Sequence, residues 1–160
     1  LGLAECDGHG NINVSRFGPR IAGCGGFINI TQNTHKVFFC GTFTAGGLKV
    51  KVEDGKVVIA QEGKQKKFLK DVEQITFNGD IALQNKQEVM YITERCVFQL
   101  REDGMHLTEI APGIDLQTQI LDMMDFEPII DRDANGEIKL MDAKLFAEGL
   151  MGLKEMKEGC

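Results

Sequence analysis

Long apolar runs, an excess of basic residues and paired cysteines are all missing from this sequence. No apolar run reaches the roughly 18 residues that a membrane-spanning helix needs. The formal net charge is −6, whereas a nucleic-acid partner would favour a basic face. The five cysteines are odd in number and never form C-x-x-C, so neither a disulfide framework nor a zinc knuckle is indicated. We expect no membrane and no nucleic-acid partner, and a cytoplasmic location.

A signal-peptide n-region is missing as well, and the chain opens at Leu1 in the middle of an apolar pattern. Of the 160 residues, 42% are hydrophobic and 26% are charged, which is enough apolar material for a core. We therefore expect one folded unit that is a piece of a longer polypeptide.

Glycine residues are concentrated at 23–26. Gly23, Gly25 and Gly26 fall within four positions and lead into an apolar run at 27–30. We predict one or two helical turns over Phe27–Gln32. Glycine tolerates positive φ and lets another group approach the backbone closely. A turn that opens a helix leaves backbone N–H groups that could hold a phosphate or the oxyanion of a reacting carbonyl. A tight strand-to-helix connection without a ligand is the alternative interpretation of the same pattern.

Strand and turn signals predict an α/β fold, part of an open mixed sheet with antiparallel hairpin additions and C-terminal helices. We divide the chain into a glycine-loop α/β part at 1–50, a β-hairpin region at 51–110 and a helical tail at 111–160. Asp54 and Gly55 form the strongest hairpin signal. Further strands are predicted at 73–77, 88–92, 96–101 and 106–109, with Asn78-Gly79 and Asp103-Gly104 as turns between them. Helices are predicted at 116–124, capped by Asp115, and at 140–151.

The apolar run Lys36–Cys40 predicts a central parallel strand that is buried on both faces. Open α/β sheets bind ligands at the carboxyl ends of their strands. The second glycine loop, at 41–47, would then lie beside the turn at 23–26. The two glycine loops would form one wall of a site.

A calcium-loop pattern occupies 131–142, with oxygen ligands at positions 1, 3 and 5, glycine at 6 and a carboxylate at 12. Position 12 is Asp142 rather than glutamate, and Pro128 would interrupt the entering helix. An Asn-Gly turn before a helix is the alternative, and we predict no metal site. The three histidines are scattered, which favours loop or surface positions.

Five ordered segments together resemble family I coenzyme A-transferases, closest to the acetate/propionate branch. They are residues 10–15, 22–27, 37–47, 91–98 and 109–116. The chain is similar to the C-terminal part of such an enzyme, within its second (β) domain. The resemblance covers almost the whole chain.

This resemblance implies transfer of CoA between an acyl-CoA and a free short-chain carboxylic acid. A glutamate would form an acyl-glutamyl anhydride and then a glutamyl-CoA thioester. No residue here matches that glutamate, since Glu5 lies in a strand motif, so we expect the isolated chain to be inactive. The resemblance implies that the backbone of Gly25 and Gly26 contacts the reacting carbonyl or CoA. Further CoA-binding candidates are Gly23, Gly41, Thr42 and Gly46.

The implied partners are acyl-CoA, a carboxylate and the remainder of the CoA-transferase polypeptide, and we expect a homo-oligomer. CoA would act as a substrate, with no tightly bound cofactor. The alternative is a non-catalytic binding or assembly module, with or without a calcium-binding loop at 131–142. The missing nucleophile supports that alternative.

Overall fold

The computed structural model describes residues 1–147, in which short strands outnumber helices. In chain order the elements are β1 (Glu5–Cys6), β2 (Ile12–Asn13), β3 (Arg16–Phe17), β4 (Arg20–Ile21), α1 (Phe27–Gln32), β5 (Lys36–Cys40), β6 (Thr44–Ala45), β7 (Lys49–Glu53), β8 (Lys56–Gln61), β9 (Gln65–Lys66), α2 (Gly79–Gln84), β10 (Glu88–Ile92), β11 (Cys96–Arg101), β12 (Gly104–Ile110), α3 (Leu116–Gln119) and β13 (Ile129–Ile130). Two 3₁₀ turns follow α3 and β13, at Leu121–Met123 and Ala143–Phe146.

The main sheet is mixed and has the strand order β13-β12-β11-β10-β5 within residues 1–147. The strands β10, β11 and β12 are antiparallel neighbours. At the two edges, β5 runs parallel to β10 and β13 runs parallel to β12. The predicted open mixed sheet is therefore confirmed.

One prediction about this sheet is wrong, because β5 is neither central nor buried on both faces. It is the last strand in the order, and its residues alternate between exposed and buried. Val37 and Phe39 are buried, whereas Phe38 remains 47% exposed and Cys40 is exposed. An apolar run allows both faces of a strand to be buried, but each face is buried only where another element packs on it. In residues 1–147, such elements cover only one face of β5.

Aromatic rings fill the core on the covered face. Phe39 lies at the centre of one aromatic group. Its ring stacks on Phe27, with the ring centroids 5.7 Å apart, and on Tyr91, with the centroids 5.4 Å apart. A second group forms around Phe68, whose ring lies 4.6 Å from Phe43 and 5.2 Å from Phe98.

The predicted hairpin is confirmed and forms a two-stranded sheet of its own, β7–β8. Asp54 and Gly55 both have positive φ, 50° and 72°, which is the backbone of a type I′ turn. These two residues tolerate that conformation better than others, so the local sequence determines the turn.

Two other local predictions are wrong. Residues 73–77 form no strand, and only Phe77 bridges to Ile12. Asn78 does not make a turn between strands. It caps α2, because its side chain accepts a hydrogen bond from the Ile81 N–H at 2.9 Å.

The helical tail is shorter than predicted. Asp115 does cap a helix, since its carboxylate accepts the Thr118 N–H at 2.7 Å, but α3 ends at Gln119 and a 3₁₀ turn replaces the rest. In the predicted helix at 140–151 the structure has the 3₁₀ turn Ala143–Phe146, and 148–151 lie outside the described residues. No helix among residues 1–147 is long and apolar enough to cross a membrane.

Candidate functional site

The first glycine turn has the backbone that the sequence predicts. Gly23 and Gly25 have φ of 76° and 52°, in the left-handed region that favours glycine. A Cβ built at either position would meet no other atom within 4 Å, so open space lies beside this turn. Gly26 precedes the first residue of α1 as its N-cap.

The N–H groups of this turn differ in availability. The Gly23 N–H already donates to the Ser15 carbonyl oxygen at 3.2 Å. Those of Gly25 and Gly26 donate to no acceptor among residues 1–147. Two adjacent backbone donors beside open space can stabilise a negatively charged oxygen.

The start of α1 is fixed to the carboxyl end of β5. Phe27, the first residue of the helix, stacks on Phe39, the fourth residue of the strand. Gly41 follows β5 directly, and its N–H donates to the Ile92 carbonyl oxygen at 3.1 Å. Phe27, next to the first glycine turn, is thus in contact with Phe39, two positions before Gly41. That the two glycine loops form a shared wall for CoA stays a prediction.

Close packing explains why the second glycine loop, at 41–47, begins with a glycine. A Cβ on Gly41 would lie 3.0 Å from the Leu3 carbonyl oxygen and 3.1 Å from Lys67 Nζ, so a side chain there would require these neighbours to shift. The Thr42 hydroxyl donates to the Thr44 carbonyl oxygen at 2.7 Å. Gly46 has a φ of 78°. This loop is held by one internal hydrogen bond and by contacts with Leu3 and Lys67. The Thr42 hydroxyl would accept rather than donate a further hydrogen bond.

Lys67 is a buried cation that sequence reasoning missed. It lies in a lysine-rich run, 64–70, that is typical of a solvated edge, yet it is only 7% exposed. Its Nζ donates to the Thr42 carbonyl oxygen at 2.6 Å. Burial lowers the pKa of Lys67, and the negative charge of Glu94 offsets that only in part. A cavity of about 530 Å³ adjoins it, lined by Leu3, Ala4, Glu5, Phe17, Ala45, Gln65, Lys66 and Lys67.

Arg95 organises the other side of the second loop. Its fully buried guanidinium donates to Glu62 Oε1 at 2.6 Å, to Glu94 Oε1 at 3.0 Å and to the Gln119 carbonyl oxygen at 2.8 Å. Burial alone would lower the pKa of Arg95, but the hydrogen bonds to the two glutamates outweigh it and raise that pKa. Arg95 therefore stays charged and connects Glu62 and Glu94 to the last residue of α3, Gln119.

The same network reaches the backbone of the second loop. Glu94 Oε2 accepts the Phe43 N–H at 2.9 Å. The Arg95 guanidinium lies 5.0 Å from the centre of the Phe43 ring, within cation–π range. Because Glu62 is 33 positions away from Arg95, no local sequence signal could have identified the pair.

The carboxylates of the calcium-like segment have other partners. Asp131 pairs with Arg101 at 2.7 Å and with His106 at 2.7 Å. One oxygen of Asp133 accepts the N–H groups of Asn135 and Glu137, as in an Asn-Gly turn. No group of three or more metal-ligating side chains occurs in residues 1–147. His106 itself is buried at 6% exposure, contrary to the predicted loop or surface position.

The proteins to which this chain is similar are CoA-transferases. Acetate CoA-transferase YdiF of Escherichia coli K12 is 54% identical over 152 residues, which are 95% of this chain and 28% of that protein. Caffeate CoA-transferase of Acetobacterium woodii is 54% identical over 158 residues, 96% of this chain and 29% of that protein. No protein-family model matches the sequence.

A solved structure agrees with these relatives. The crystal structure of the acyl-CoA transferase YdiF from Escherichia coli O157:H7, as a thioester complex with CoA, superimposes with a TM-score of 0.89 at 54% identity. It is matched over 95% of this chain and 29% of its own. The resemblance to the C-terminal part of a CoA-transferase is thereby confirmed. The chain spans less than a third of the length of these relatives.

Proposed function

We propose that this chain is the part of a short-chain CoA-transferase that supplies a backbone wall for the reacting thioester. The whole polypeptide would move CoA from an acyl-CoA to a free carboxylic acid through a glutamyl-CoA thioester. The observation that supports this most is the match, at 54% identity, to an acyl-CoA transferase described as a thioester complex with CoA. CoA would enter as a substrate.

The proposed role of the first turn follows from charge. When a carboxylate attacks a thioester carbonyl, negative charge develops on the carbonyl oxygen, and preorganised N–H donors stabilise it. Gly25 and Gly26 are assigned this role, since their N–H groups have no acceptor in residues 1–147. Gly23 is assigned a role in shaping the turn, because its N–H is already used.

The second loop is assigned to CoA binding through Gly41, Thr42 and Gly46. Its rigidity is the supporting observation, because Lys67 holds Thr42 and Arg95 holds the loop through Glu94. The nucleophilic glutamate, the acid-binding residues and the interface of a homo-oligomer would lie in the remainder of the polypeptide. A cytoplasmic location is part of the same proposal.

The test replaces Gly25 by valine in the full-length polypeptide. A φ of 52° strains a β-branched residue, and the displaced backbone would lose a donor to the oxyanion. We expect kcat for exchange between acetyl-CoA and propionate to fall by about 10²–10³-fold, the range for one lost oxyanion donor. The 160-residue chain alone should give no exchange.

Gly136→Val is the matched control. Gly136 also has positive φ, 82°, and open space at its Cβ, but it lies in the turn after Asp133. Its kcat should stay near that of the parent enzyme. An unchanged kcat for folded Gly25→Val, or an equal loss in both variants, would remove Gly25 from the site. A full-length polypeptide without any acyl exchange would favour the alternative of a binding or assembly module.

A further inference from the structure

The first glycine turn, at 23–26, is attached to the preceding chain through one carbonyl oxygen. That oxygen belongs to Ser15 and accepts the N–H groups of Ala22 at 2.9 Å and of Gly23 at 3.2 Å. Between Ser15 and Ala22, the strands β3 and β4 pair as a short hairpin, so the chain leaves and returns at the same residue. The position of Ser15 therefore determines where the turn begins.

Ser15 is itself fixed through both its backbone and its side chain. Its N–H donates to the side-chain oxygen of Asn13, which is fully buried, at 3.0 Å. Its hydroxyl oxygen lies 2.7 Å from that of Thr76, which is 61 positions away in the chain. Thr76 Oγ1 also accepts the N–H of Val14 at 3.2 Å. One threonine side chain thus contacts two consecutive residues at the base of the hairpin.

The segment 73–77 holds this hairpin with side chains rather than by strand pairing. Glu73 accepts the Gly18 N–H with both carboxylate oxygens, at 2.9 and 2.7 Å, but it is exposed to solvent. Thr76 is only partly exposed, and its own N–H donates to the Ile12 carbonyl oxygen of β2 at 2.8 Å. Water can replace an exposed contact more readily than a covered one. Thr76 is therefore the firmer of the two attachments.

We propose that Thr76 is a positioning residue for the oxyanion donors of the first glycine turn. The inference rests on the proposed function, in which the N–H groups of Gly25 and Gly26 stabilise a charged oxygen. Such donors lower the barrier because they are already in place when the charge develops. Without the Thr76 hydroxyl, Val14 loses an acceptor and the Ser15 side chain loses its partner, so the base of the hairpin can shift. A misplacement of about 1 Å can cost about 10²-fold in rate.

The kinetic experiment replaces Thr76 by valine in the full-length polypeptide, which removes the hydroxyl and keeps a β-branched side chain. We expect kcat per folded enzyme, for exchange between acetyl-CoA and propionate, to fall about tenfold, less than for a lost donor. KM for acetyl-CoA should stay within about twofold, because the donors act on charge that develops in the transition state. Thr76→Ser, which keeps the hydroxyl, should restore most of the rate.

Thr108→Val is the matched control. Thr108 is also partly exposed, and its hydroxyl donates to the Val97 carbonyl oxygen of β11 at 3.2 Å. Its removal should leave kcat near that of the parent enzyme. An equal loss of kcat in Thr108→Val and Thr76→Val would overturn the proposal.

Combined variants separate positioning from general destabilisation. In the Gly25→Val background, Thr76→Val should lower kcat by no more than about twofold, because the donor that it positions is already displaced. General destabilisation would lower kcat equally in both backgrounds, and that result would overturn the proposal. Ser15→Ala removes the other hydroxyl of the pair and should reproduce the loss seen with Thr76→Val. The two changes together should cost less than the product of their separate factors.

Hydrogen exchange tests the attachment without catalysis. The protected N–H groups of Ala22 and Gly23 are followed by mass spectrometry of the peptide 22–27 from the full-length polypeptide. Thr76→Val should speed exchange there at least about threefold, while the peptide 88–101 keeps its rate. Unchanged exchange at 22–27 in Thr76→Val and Ser15→Ala would overturn the proposal. Faster exchange with unchanged kcat would do so too.

Failure of the proposed function gives a different result. An unchanged kcat for Gly25→Val would remove the role of the turn itself, and this inference with it, whatever the exchange rates show. A slow Gly25→Val beside a Thr76→Val with the parent kcat would overturn only the role of Thr76.

Discussion

Replacing Arg95 by methionine should destabilise the 160-residue chain more than any surface charge change. The substitution keeps much of the side-chain length but removes the guanidinium. Glu62, Glu94 and the Gln119 carbonyl oxygen each lose a donor, at 2.6, 3.0 and 2.8 Å in the parent chain. The contact with the Phe43 ring is lost too.

The expected cost is about 3 kcal/mol. Removing one partner of a buried ion pair costs roughly 3–5 kcal/mol, because the other charge remains without compensation. Here the remaining carboxylates keep some water, since the side chains of Glu62 and Glu94 are 35% and 16% exposed. Glu94 also retains the Phe43 N–H. Both facts favour the lower end of the range.

Urea unfolding followed by far-UV circular dichroism measures this cost, with the slope m checked for constancy. The matched control is Lys139→Met, since Lys139 pairs with Glu109 but is 72% exposed. Exposed pairs contribute about 0.2–1 kcal/mol, so the control should lose less than about 1 kcal/mol.

Neutralising Glu62 separates charge from packing. In the Arg95→Met background, Glu62→Gln should cost less than in the parent chain or should restore stability, because the uncompensated carboxylate is gone. Two results would refute the reasoning. One is an Arg95→Met cost below about 1 kcal/mol, and the other is an equal Glu62→Gln cost in both backgrounds.

Three further predictions concern the core, the calcium-like segment and pH. Phe68→Ala should cost about 3–5 kcal/mol in urea unfolding of the 160-residue chain, whereas Phe38→Ala, at an exposed site, should cost under about 1 kcal/mol. Calorimetric titration should show no calcium dissociation constant of about 10⁻⁵ M or tighter, since Asp131 and Asp133 already have partners. Burial lowers the pKa of Lys67 in the folded state below its usual 10.5, which applies to the unfolded chain. At a pH between the folded-state and the unfolded-state pKa, the unfolded state therefore binds more protons. Stability relative to Lys67→Met should therefore rise as pH rises through that interval; a flat difference would contradict it.

The parts of the fold that sequence predicted are those that neighbouring residues determine. Asp54 and Gly55 make the type I′ turn that this pair of residues favours between alternating strands. The helix Phe27–Gln32 and the strand Lys36–Cys40 are confirmed with the bounds that their apolar patterns indicated. In each case the signal and the structure involve the same few residues.

The errors have one physical origin, because the burial of a residue depends on what packs against it. Phe38 has the sequence context of a core residue but meets no covering element in residues 1–147. Lys67 has the context of a solvated edge but is buried under Thr42. Asn78 and Gly79 have the composition of a hairpin turn, yet a helix follows them. Local composition cannot distinguish these outcomes.

The proposed site uses backbone groups rather than side chains. It can therefore stabilise charge on a substrate oxygen but cannot select the acid. Its donors are the N–H groups of Gly25 and Gly26, which any substrate carbonyl would meet in the same way. Such donors stabilise charge on an oxygen without distinguishing the acyl groups attached to it. On the proposed function, acid specificity and the nucleophile must therefore come from the remainder of the polypeptide. The buried cations Lys67 and Arg95 would then serve to keep the second loop in a fixed position against it.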